Sequence, residues 1–171
     1  MSAYPPVKVG LLGLGTVGGG VTRVLARNAE EISRRAGREI IITHAAAKNL
    51  NTTTANTAGM KLTGEALEVV DDPEISIIVE LMGGYEPARS LALRALANGK
   101  HVVTANKALI AKHGNEIFAA ARAAGMMVGF EAAVAGGIPI IKAIREGLAG
   151  NRIEWVAGII NGTANFILTA M

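Results

Sequence analysis

A glycine-rich turn between an apolar segment and a helical one restricts the fold of this chain more than any other feature. Residues Val7 to Leu12 (VKVGLL) form a short apolar run typical of a buried strand, and Gly13 to Gly18 (GLGTVG) follows directly. Apolar residues then recur at helical spacing, which predicts a helix from Thr16 to about Arg34 that ends before Gly37. A strand, a G-x-G-x-x-G turn and a helix in this order are typical of proteins that hold a pyrophosphate.

Each glycine of this turn has its own physical role in such a site. Gly13 permits the tight bend, Gly15 lets a phosphate approach the backbone because it has no Cβ, and Gly18 lets the helix pack closely on the strand. Unpaired N–H groups at the start of the helix, helped by the helix dipole, would then donate to phosphate oxygens. The context predicts dinucleotide binding, and the alternative is a glycine-rich turn without a ligand.

Strands and helices alternate at short spacing along the following residues. Residues 49–64 are polar and threonine-rich, which predicts a loop with at most a short helix. The alternation is typical of parallel β-α-β units and predicts an α/β fold, a Rossmann-type doubly wound parallel sheet. The further strands are predicted at Ile40–Ala46, Ile75–Leu81, His101–Thr104 and Met126–Phe130, and the further helices at Pro87–Ala97 and Asn115–Ala124.

The pattern changes at Glu131 to Pro139 (EAAVAGGIP), a segment rich in small residues. Beyond it the sequence predicts a helix at Ile140–Leu148 and a strand at Ile153–Ile160. We therefore predict a dinucleotide-binding domain at residues 1–133 and the incomplete beginning of a second domain at residues 134–171.

Composition excludes several classes of function. Half of the 171 residues are hydrophobic, which is enough for a sizeable core, and there is no cysteine for a disulfide, a thiolate metal site or a thiol nucleophile. The net charge of +3 comes without a basic run, which argues against a nucleic-acid partner. We see no secretory signal and no apolar run long enough to cross a bilayer, so we expect no membrane partner and a cytoplasmic location.

The end of the second predicted strand lacks the acidic residue that commonly binds the ribose 2′-hydroxyl of NAD. Residues 45–49 are AAAKN at that place. Without a carboxylate, a 2′-phosphate is not repelled, and Lys48 would attract it. We expect NADP to be accepted at least as well as NAD, with Lys48 as a candidate contact; a solvated loop lysine is the alternative.

Two further groups of candidates follow the third and fourth predicted strands. Lys107 comes shortly after HVVT, and open α/β sheets bind ligands at the carboxyl ends of their strands. A lysine there can polarise a carbonyl, orient a carboxylate or exchange a proton, although a surface lysine is the simpler alternative. Glu80 and Met82 lie at the end of the third strand, and the backbone of Gly83-Gly84 would approach the nicotinamide side of the cofactor; a plain Gly-Gly turn is the alternative.

Five separated segments together resemble homoserine dehydrogenases. The resemblance covers nearly the whole chain and implies an enzyme that interconverts L-homoserine and L-aspartate 4-semialdehyde with NAD(P), in the biosynthesis of threonine, methionine and isoleucine. It also implies a Rossmann-type domain joined to an α+β substrate and dimerisation domain, with a homodimer as the full-length assembly. The segments are GLLGLGTVGGGV (10–21), ELMGG (80–84), GKHVVTANKALIA (99–111), FEAAVAGGIPII (130–141) and GIINGTANFIL (158–168), and general Rossmann domains do not share the last three.

The resemblance also implies roles for individual residues. It puts Thr16 and Val17 at the pyrophosphate, and Thr104 and Lys107 beside the nicotinamide and the substrate. A second, proton-transferring lysine and the acidic residues that bind homoserine would lie beyond Met171.

A monovalent cation, commonly sodium, is also implied at the domain junction. Its ligands would be the carboxylate of Glu131 and the backbone carbonyls of Val134, Gly136 and Ile138, and hard oxygen ligands suit such an ion. The alternative is a glycine-rich hinge with Glu131 in an ion pair.

We therefore expect this chain to bind the cofactor but to turn over little or no homoserine by itself. An aspartate semialdehyde dehydrogenase is disfavoured because that chemistry needs a cysteine nucleophile. A non-catalytic, dinucleotide-sensing Rossmann module remains the alternative function.

Overall fold

Short strands rich in valine and isoleucine form one parallel sheet in the computed structural model, which describes residues 4–50 and 55–158. Within these residues the sheet has six strands in the order β3-β2-β1-β4-β5-β6, and every neighbouring pair is parallel. The strands are β1 (Val7–Leu12), β2 (Ile40–Ala46), β3 (Lys61–Thr63), β4 (Ile77–Glu80), β5 (His101–Thr104) and β6 (Val128–Gly129). The chain order reverses between β1 and β4, so ligands are expected in the crevice beyond the carboxyl ends of these two strands.

Helices lie between most consecutive strands, as the crossover connections of a parallel sheet require. The helices are α1 (Thr16–Arg27), α2 (Ala29–Ala36), α3 (Ala66–Asp71), α4 (Ala88–Ala97), α5 (Lys107–Ala124) and α6 (Ile140–Lys142). A 3-10 turn at Glu131–Ala133 precedes α6, and a π-helical turn at Ala143–Gly147 follows it.

The two faces of the sheet are covered unequally. Helices α3, α4 and α5 pack side by side on one face, where Ile78 of β4 and Leu96 of α4 are almost completely buried. On the other face α1 and α2 cover the β2 side, and Val103 of β5 keeps 39% of its surface exposed. The last four residues of β1 are buried, which explains why its sequence, apart from Lys8, is apolar without alternation.

Most predicted strands and the fold class are confirmed, and β1, β2 and β5 have the predicted bounds. The single helix predicted from Thr16 to Arg34 is wrong, because the chain leaves helical geometry at Asn28 and starts α2. Gly37 ends α2 in the left-handed conformation, with φ of 74°, as the glycine predicted.

Several elements were either not predicted or differ from their predicted extent. Within the predicted loop lies β3, and α3 follows it where no helix was predicted. Helix α5 begins at Lys107, eight residues before the predicted Asn115. Strands β4 and β6 are shorter than predicted, although the amides of Ser76 and Leu81, which flank β4, still donate to carbonyl oxygens of β1.

The segment predicted to begin a second domain is less regular than predicted. The helix predicted at Ile140–Leu148 is α6 followed by the π-helical turn. The strand predicted at Ile153–Ile160 is absent over residues 153–158, where the side chain of Trp155 is 78% exposed. A strand needs a partner for its backbone groups, and residues 159 and 160 lie outside the described part of the chain.

Over the described residues, no helix combines the length and the apolar character that crossing a bilayer requires.

Candidate functional site

The predicted site residues gather at one edge of the sheet because all strands are parallel. Gly13 follows β1, Lys48 follows β2, Met82 follows β4 and Lys107 follows β5. Strand β4 separates β1 from β5, and neighbouring strands lie about 4.8 Å apart, so the ends of β1 and β5 are about 10 Å from each other. A molecule with the extended shape of a dinucleotide can reach both ends.

The glycine turn is tightly packed against the backbone that follows β4. Gly13 has φ of +102°, and a Cβ there would lie 2.9 Å from the carbonyl oxygen of Leu81. A Cβ on Gly18 would lie 2.0 Å from the carbonyl oxygen of Gly13, a distance that no packed atom tolerates. Both glycines are therefore required by the turn itself, as their predicted roles state.

Gly15 is in the opposite situation. A Cβ at this position would meet no atom within 4 Å, so the protein itself leaves this space open. Gly15 is the N-cap of α1, and the exposed residues Thr16 and Val17 form the first helical turn, which contains no acidic residue. The backbone N–H groups of a first turn lack intrahelical acceptors, so an anion placed over Gly15 would meet these donors.

A buried carboxylate organises the end of β4. Glu80 is completely buried and lies beside Thr104 in the ladder between β4 and β5. Its Oε1 accepts a 2.7 Å hydrogen bond from the amide of Met82, and its Oε2 accepts a 2.6 Å bond from the hydroxyl of Thr104. The carboxylate therefore holds the chain that leaves β4 against the chain that leaves β5.

Asn106 continues this network into α5. Its Nδ2 donates to the carbonyl oxygen of Gly84 at 2.6 Å, and its Oδ1 accepts from the amide of Leu109 at 3.1 Å. The second bond is an N-cap, which fixes where α5 starts. Lys107, the first residue of α5, is consequently exposed at the sheet edge.

The charges along this edge favour an anionic ligand. Lys48 and Lys107 are exposed, and the first turns of α1 and α5 carry no acidic side chain to offset their helix dipoles. Glu80 is buried and bonded, and Glu86 in the loop before α4 is bonded to Ser90 and Arg89, which hold the pKa of its carboxyl below the usual value. A cation at a helix start is unfavourable for the helix by about 0.3–1 kcal/mol, so helix stability does not explain Lys107.

The structure brings most of the predicted site residues to one edge of the sheet, and the sequence analysis missed a residue that links them. Gly13, Gly15, Gly18, Lys48 and Lys107 all lie at the carboxyl edge of the sheet. Met82, Gly83 and Thr104 lie there as well, but Thr104 is 1% exposed and its hydroxyl is bonded to Glu80. The linking role of Asn106 was missed, although an asparagine just before an apolar helical pattern is a capping signal.

The proposed cation ligands lie in an irregular segment after β6. Both oxygens of Glu131 accept backbone hydrogen bonds, from Ile141 and Lys142, each at 2.9 Å. The carbonyl oxygen of Ile138 accepts from the amide of Ile140 at 2.8 Å. These contacts fit a carboxylate that caps α6 better than a cation ligand. The set Glu131, Val134, Gly136 and Ile138 stays a prediction.

Comparison with known families gives a match over most of the chain. The family model described as homoserine dehydrogenase, NAD binding domain, matches residues 13–131. A second family model, described as homoserine dehydrogenase, matches residues 139–171.

Individual relatives agree with these matches. A homoserine dehydrogenase of Pseudomonas aeruginosa is 63% identical over 166 residues, which cover 97% of this chain and 38% of that protein. One of Neisseria gonorrhoeae is 54% identical with the same coverage. The crystal structure of a homoserine dehydrogenase from Thiobacillus denitrificans superposes with a TM-score of 0.94 at 68% identity, over 100% of this chain and 40% of that chain. The chain thus spans about two fifths of the length of the relatives it matches.

Proposed function

This chain belongs to the homoserine dehydrogenase family, and from that membership we propose that it is the NAD(P)-binding part of an enzyme that interconverts L-homoserine and L-aspartate 4-semialdehyde. The proposal combines the family with the geometry of the carboxyl edge. The single observation that supports it most is the pairing of a tightly packed Gly13 and Gly18 with an open Gly15. Gly13 and Gly18 are required by the packing of the turn, whereas Gly15 faces open space in which a pyrophosphate can approach the backbone.

Each group at this edge has a task in the proposed reaction. The bound nicotinamide supplies hydride transfer to or from the substrate carbon. The first turn of α1 binds the pyrophosphate through backbone N–H groups, and the backbone of Met82 and Gly83 lies along the nicotinamide side. Lys107 stabilises negative charge on the substrate oxygen or binds the substrate carboxylate. The proton-transferring lysine implied by the family resemblance is expected beyond Met171.

Cofactor titration of the purified chain tests this proposal. We expect saturable NADPH binding, observed as a change in nicotinamide fluorescence, because the turn and the first helical turn are complete within residues 13–18. We expect homoserine-dependent reduction of NADP to be at background, since the chain spans 38% of its relatives' length. An absence of NADPH binding contradicts the proposal. Binding in this chain together with inactivity in a protein extended to its relatives' length would instead support a dinucleotide-sensing module.

We further propose that Lys48 makes NADP at least as good a ligand as NAD. Its exposed ammonium follows β2, at the place where an adenosine 2′-phosphate is expected, and no carboxylate occupies residues 45–49. Lys48→Ala should weaken NADPH binding by about 5- to 10-fold, because one charge-assisted contact is worth about 1–1.4 kcal/mol at a partly exposed site. The dissociation constant for NADH should change by less than 2-fold, roughly the error of such titrations. Equal dissociation constants of NADPH and NADH that do not change in Lys48→Ala would contradict this proposal.

The remaining parts of the proposal concern the domain junction. We propose the boundary between the two domains at residues 133 and 134, where the 3-10 turn ends. We assign no step of the reaction to a cation. Homodimerisation is proposed for the full-length enzyme, on the family resemblance.

A further inference from the structure

The direction of each hydrogen bond around Glu80 is determined by chemistry. The amide of Asn106 donates to the hydroxyl oxygen of Thr104 at 3.0 Å, and an amide N–H can only donate. Oγ1 of Thr104 also bonds Oε2 of Glu80, and with the carboxyl group of Glu80 as a carboxylate the hydroxyl is the donor in this bond. The hydroxyl proton of Thr104 therefore points inward, towards Glu80, and not towards a ligand.

This network connects the three segments that surround the crevice. Glu80 binds the amide of Met82, and the same amide nitrogen lies 3.4 Å from the place where a Cβ on Gly13 would be. Asn106 binds the carbonyl oxygen of Gly84 and caps the helix that starts at Lys107. One carboxylate thus fixes the backbone after β4 relative to the glycine turn on one side and relative to the TANK segment, residues 104–107, on the other.

Stability alone does not account for a carboxylate in this position. Glu80 is completely buried, and among the described residues it has no ion pair with a lysine, arginine or histidine. A buried carboxyl group without a counter-ion stabilises a strand end less than an apolar side chain of similar size would. What the carboxylate adds is the ability to accept two hydrogen bonds from two different segments at once.

We propose that Glu80 is a positioning residue for the nicotinamide half of the cofactor, acting through the amide of Met82 and the hydroxyl of Thr104. This inference rests on the proposed function, since it assumes that a dinucleotide binds at this edge. Thr104 is then a relay within the protein, and the groups that meet the nicotinamide are the backbone of residues 82–84 and the exposed Lys107. The pyrophosphate half depends instead on the glycine turn, whose own bond from the Gly13 amide to the carbonyl of Ala46, at 2.8 Å, does not involve Glu80.

Two ligands that differ only at the nicotinamide end test whether Glu80 acts on the nicotinamide half of the cofactor and not on the pyrophosphate half. We would measure the dissociation constants of NADPH and of 2′-phospho-ADP-ribose, which lacks the nicotinamide, for the wild-type chain and for Glu80→Gln. The glutamine is isosteric, but its NH₂ group cannot accept the bond from Thr104, so the relay must rearrange. We expect NADPH to bind about 10-fold more weakly, which is about 1.4 kcal/mol, and 2′-phospho-ADP-ribose to bind within about 2-fold of wild type.

Thr104 supplies a second pair of variants that do not depend on the folding of Glu80→Gln. Thr104→Val removes the relay and should reproduce the selective loss of NADPH affinity. Thr104→Ser keeps the hydroxyl and should restore the wild-type ratio of the two dissociation constants.

Lys100→Met is a matched control for general destabilisation. Lys100 is 4% exposed, precedes the same strand β5 at its opposite end, and donates to the carbonyl oxygen of Ile75 at 2.8 Å. The variant should lower the melting temperature without changing the ratio of the two dissociation constants.

The possible outcomes distinguish failure of the positioning role of Glu80 from failure of the proposed function. Equal weakening of both ligands in Glu80→Gln, or no weakening of either, overturns the positioning role and leaves the proposed function intact. Failure of the wild-type chain to bind either ligand overturns the proposed function, and the positioning role with it.

Discussion

Gly18→Ala is expected to lower the free energy of unfolding by about 3 kcal/mol and to abolish NADPH binding. The new Cβ would lie 2.0 Å from the carbonyl oxygen of Gly13 and 3.0 Å from its carbonyl carbon. These are backbone atoms and cannot rotate away, so either the turn or α1 has to move. For a domain of this size the loss corresponds to a fall in melting temperature of about 6–12 °C, which a thermal unfolding experiment followed by circular dichroism would record.

Two other glycines of the same segment separate folding from ligand binding. Gly15→Ala adds a Cβ where no atom lies within 4 Å, and the φ of Gly15 is −75°, which alanine adopts without strain. This variant should melt like the wild type and bind NADPH about 10- to 100-fold more weakly, equivalent to about 1.4–2.8 kcal/mol.

Gly20→Ala is the control, since it lies inside α1 and its Cβ also meets nothing within 4 Å. It should bind NADPH normally and gain up to about 1 kcal/mol of stability, because alanine favours a helix over glycine. Wild-type affinity in Gly15→Ala, or wild-type stability in Gly18→Ala, would contradict the assignment of the turn to pyrophosphate binding.

These glycines also illustrate what the sequence could predict. The roles of Gly13 and Gly18 follow from spacing alone, because the turn between a strand and a helix leaves few backbone conformations. Strands β1, β2 and β5 were predicted to the residue, since each is rich in apolar or β-branched residues.

Short elements held by tertiary contacts could not be predicted in the same way. Strand β3 has three residues and exists because it continues the ladder of β2. Helix α3 has six residues, too few for a clear helical period, and is held by the completely buried Val69 and Val70.

The start of α5 was missed for a different reason. Gly114 stands in the middle of the helix and interrupts its apolar pattern, so the sequence favoured a start at Asn115. The structure shows Gly114 buried beneath Phe118, with the ring 3.3 Å from the place of an added Cβ. Phe118 belongs to the same helix, one turn further on, so Gly114 makes room for its ring within α5 and does not break the helix.

In the candidate site, the sequence predicted which segments meet but not how they are held together. Parallel strands necessarily bring Gly13, Met82 and Lys107 to one edge. The bonds of Glu80 and Asn106 depend on side-chain directions at the ends of β4 and β5, which no spacing encodes. Residues 134–158 were predicted least well, because a strand at residues 153–158 would need a partner strand that the described residues do not offer.

Lys107→Met should lower kcat for homoserine oxidation by about 100- to 1000-fold in a protein extended to the length of its relatives. Helix stability does not favour an ammonium at the first residue of α5, and the Asn106 cap directs that residue into the open edge. Its charge is therefore available to a substrate oxygen or carboxylate. A practical protein for the assay joins residues 1–171 to the remaining part of the Pseudomonas aeruginosa relative, with which this chain shares 63% identity.

The same chimera provides the control and the decisive comparison. Lys61→Met removes an exposed lysine on β3 whose partner, Glu68, lies 3.5 Å away, so it should leave kcat unchanged. The NADPH dissociation constant should change by less than about 3-fold in Lys107→Met, or roughly 0.6 kcal/mol, because the backbone holds most of the cofactor. A loss confined to cofactor affinity would make Lys107 a binding residue, because a group that stabilises charge only in the transition state lowers kcat while leaving ground-state binding intact. A kcat equal to that of the unsubstituted chimera would show that Lys107 is a solvated surface lysine without a catalytic role.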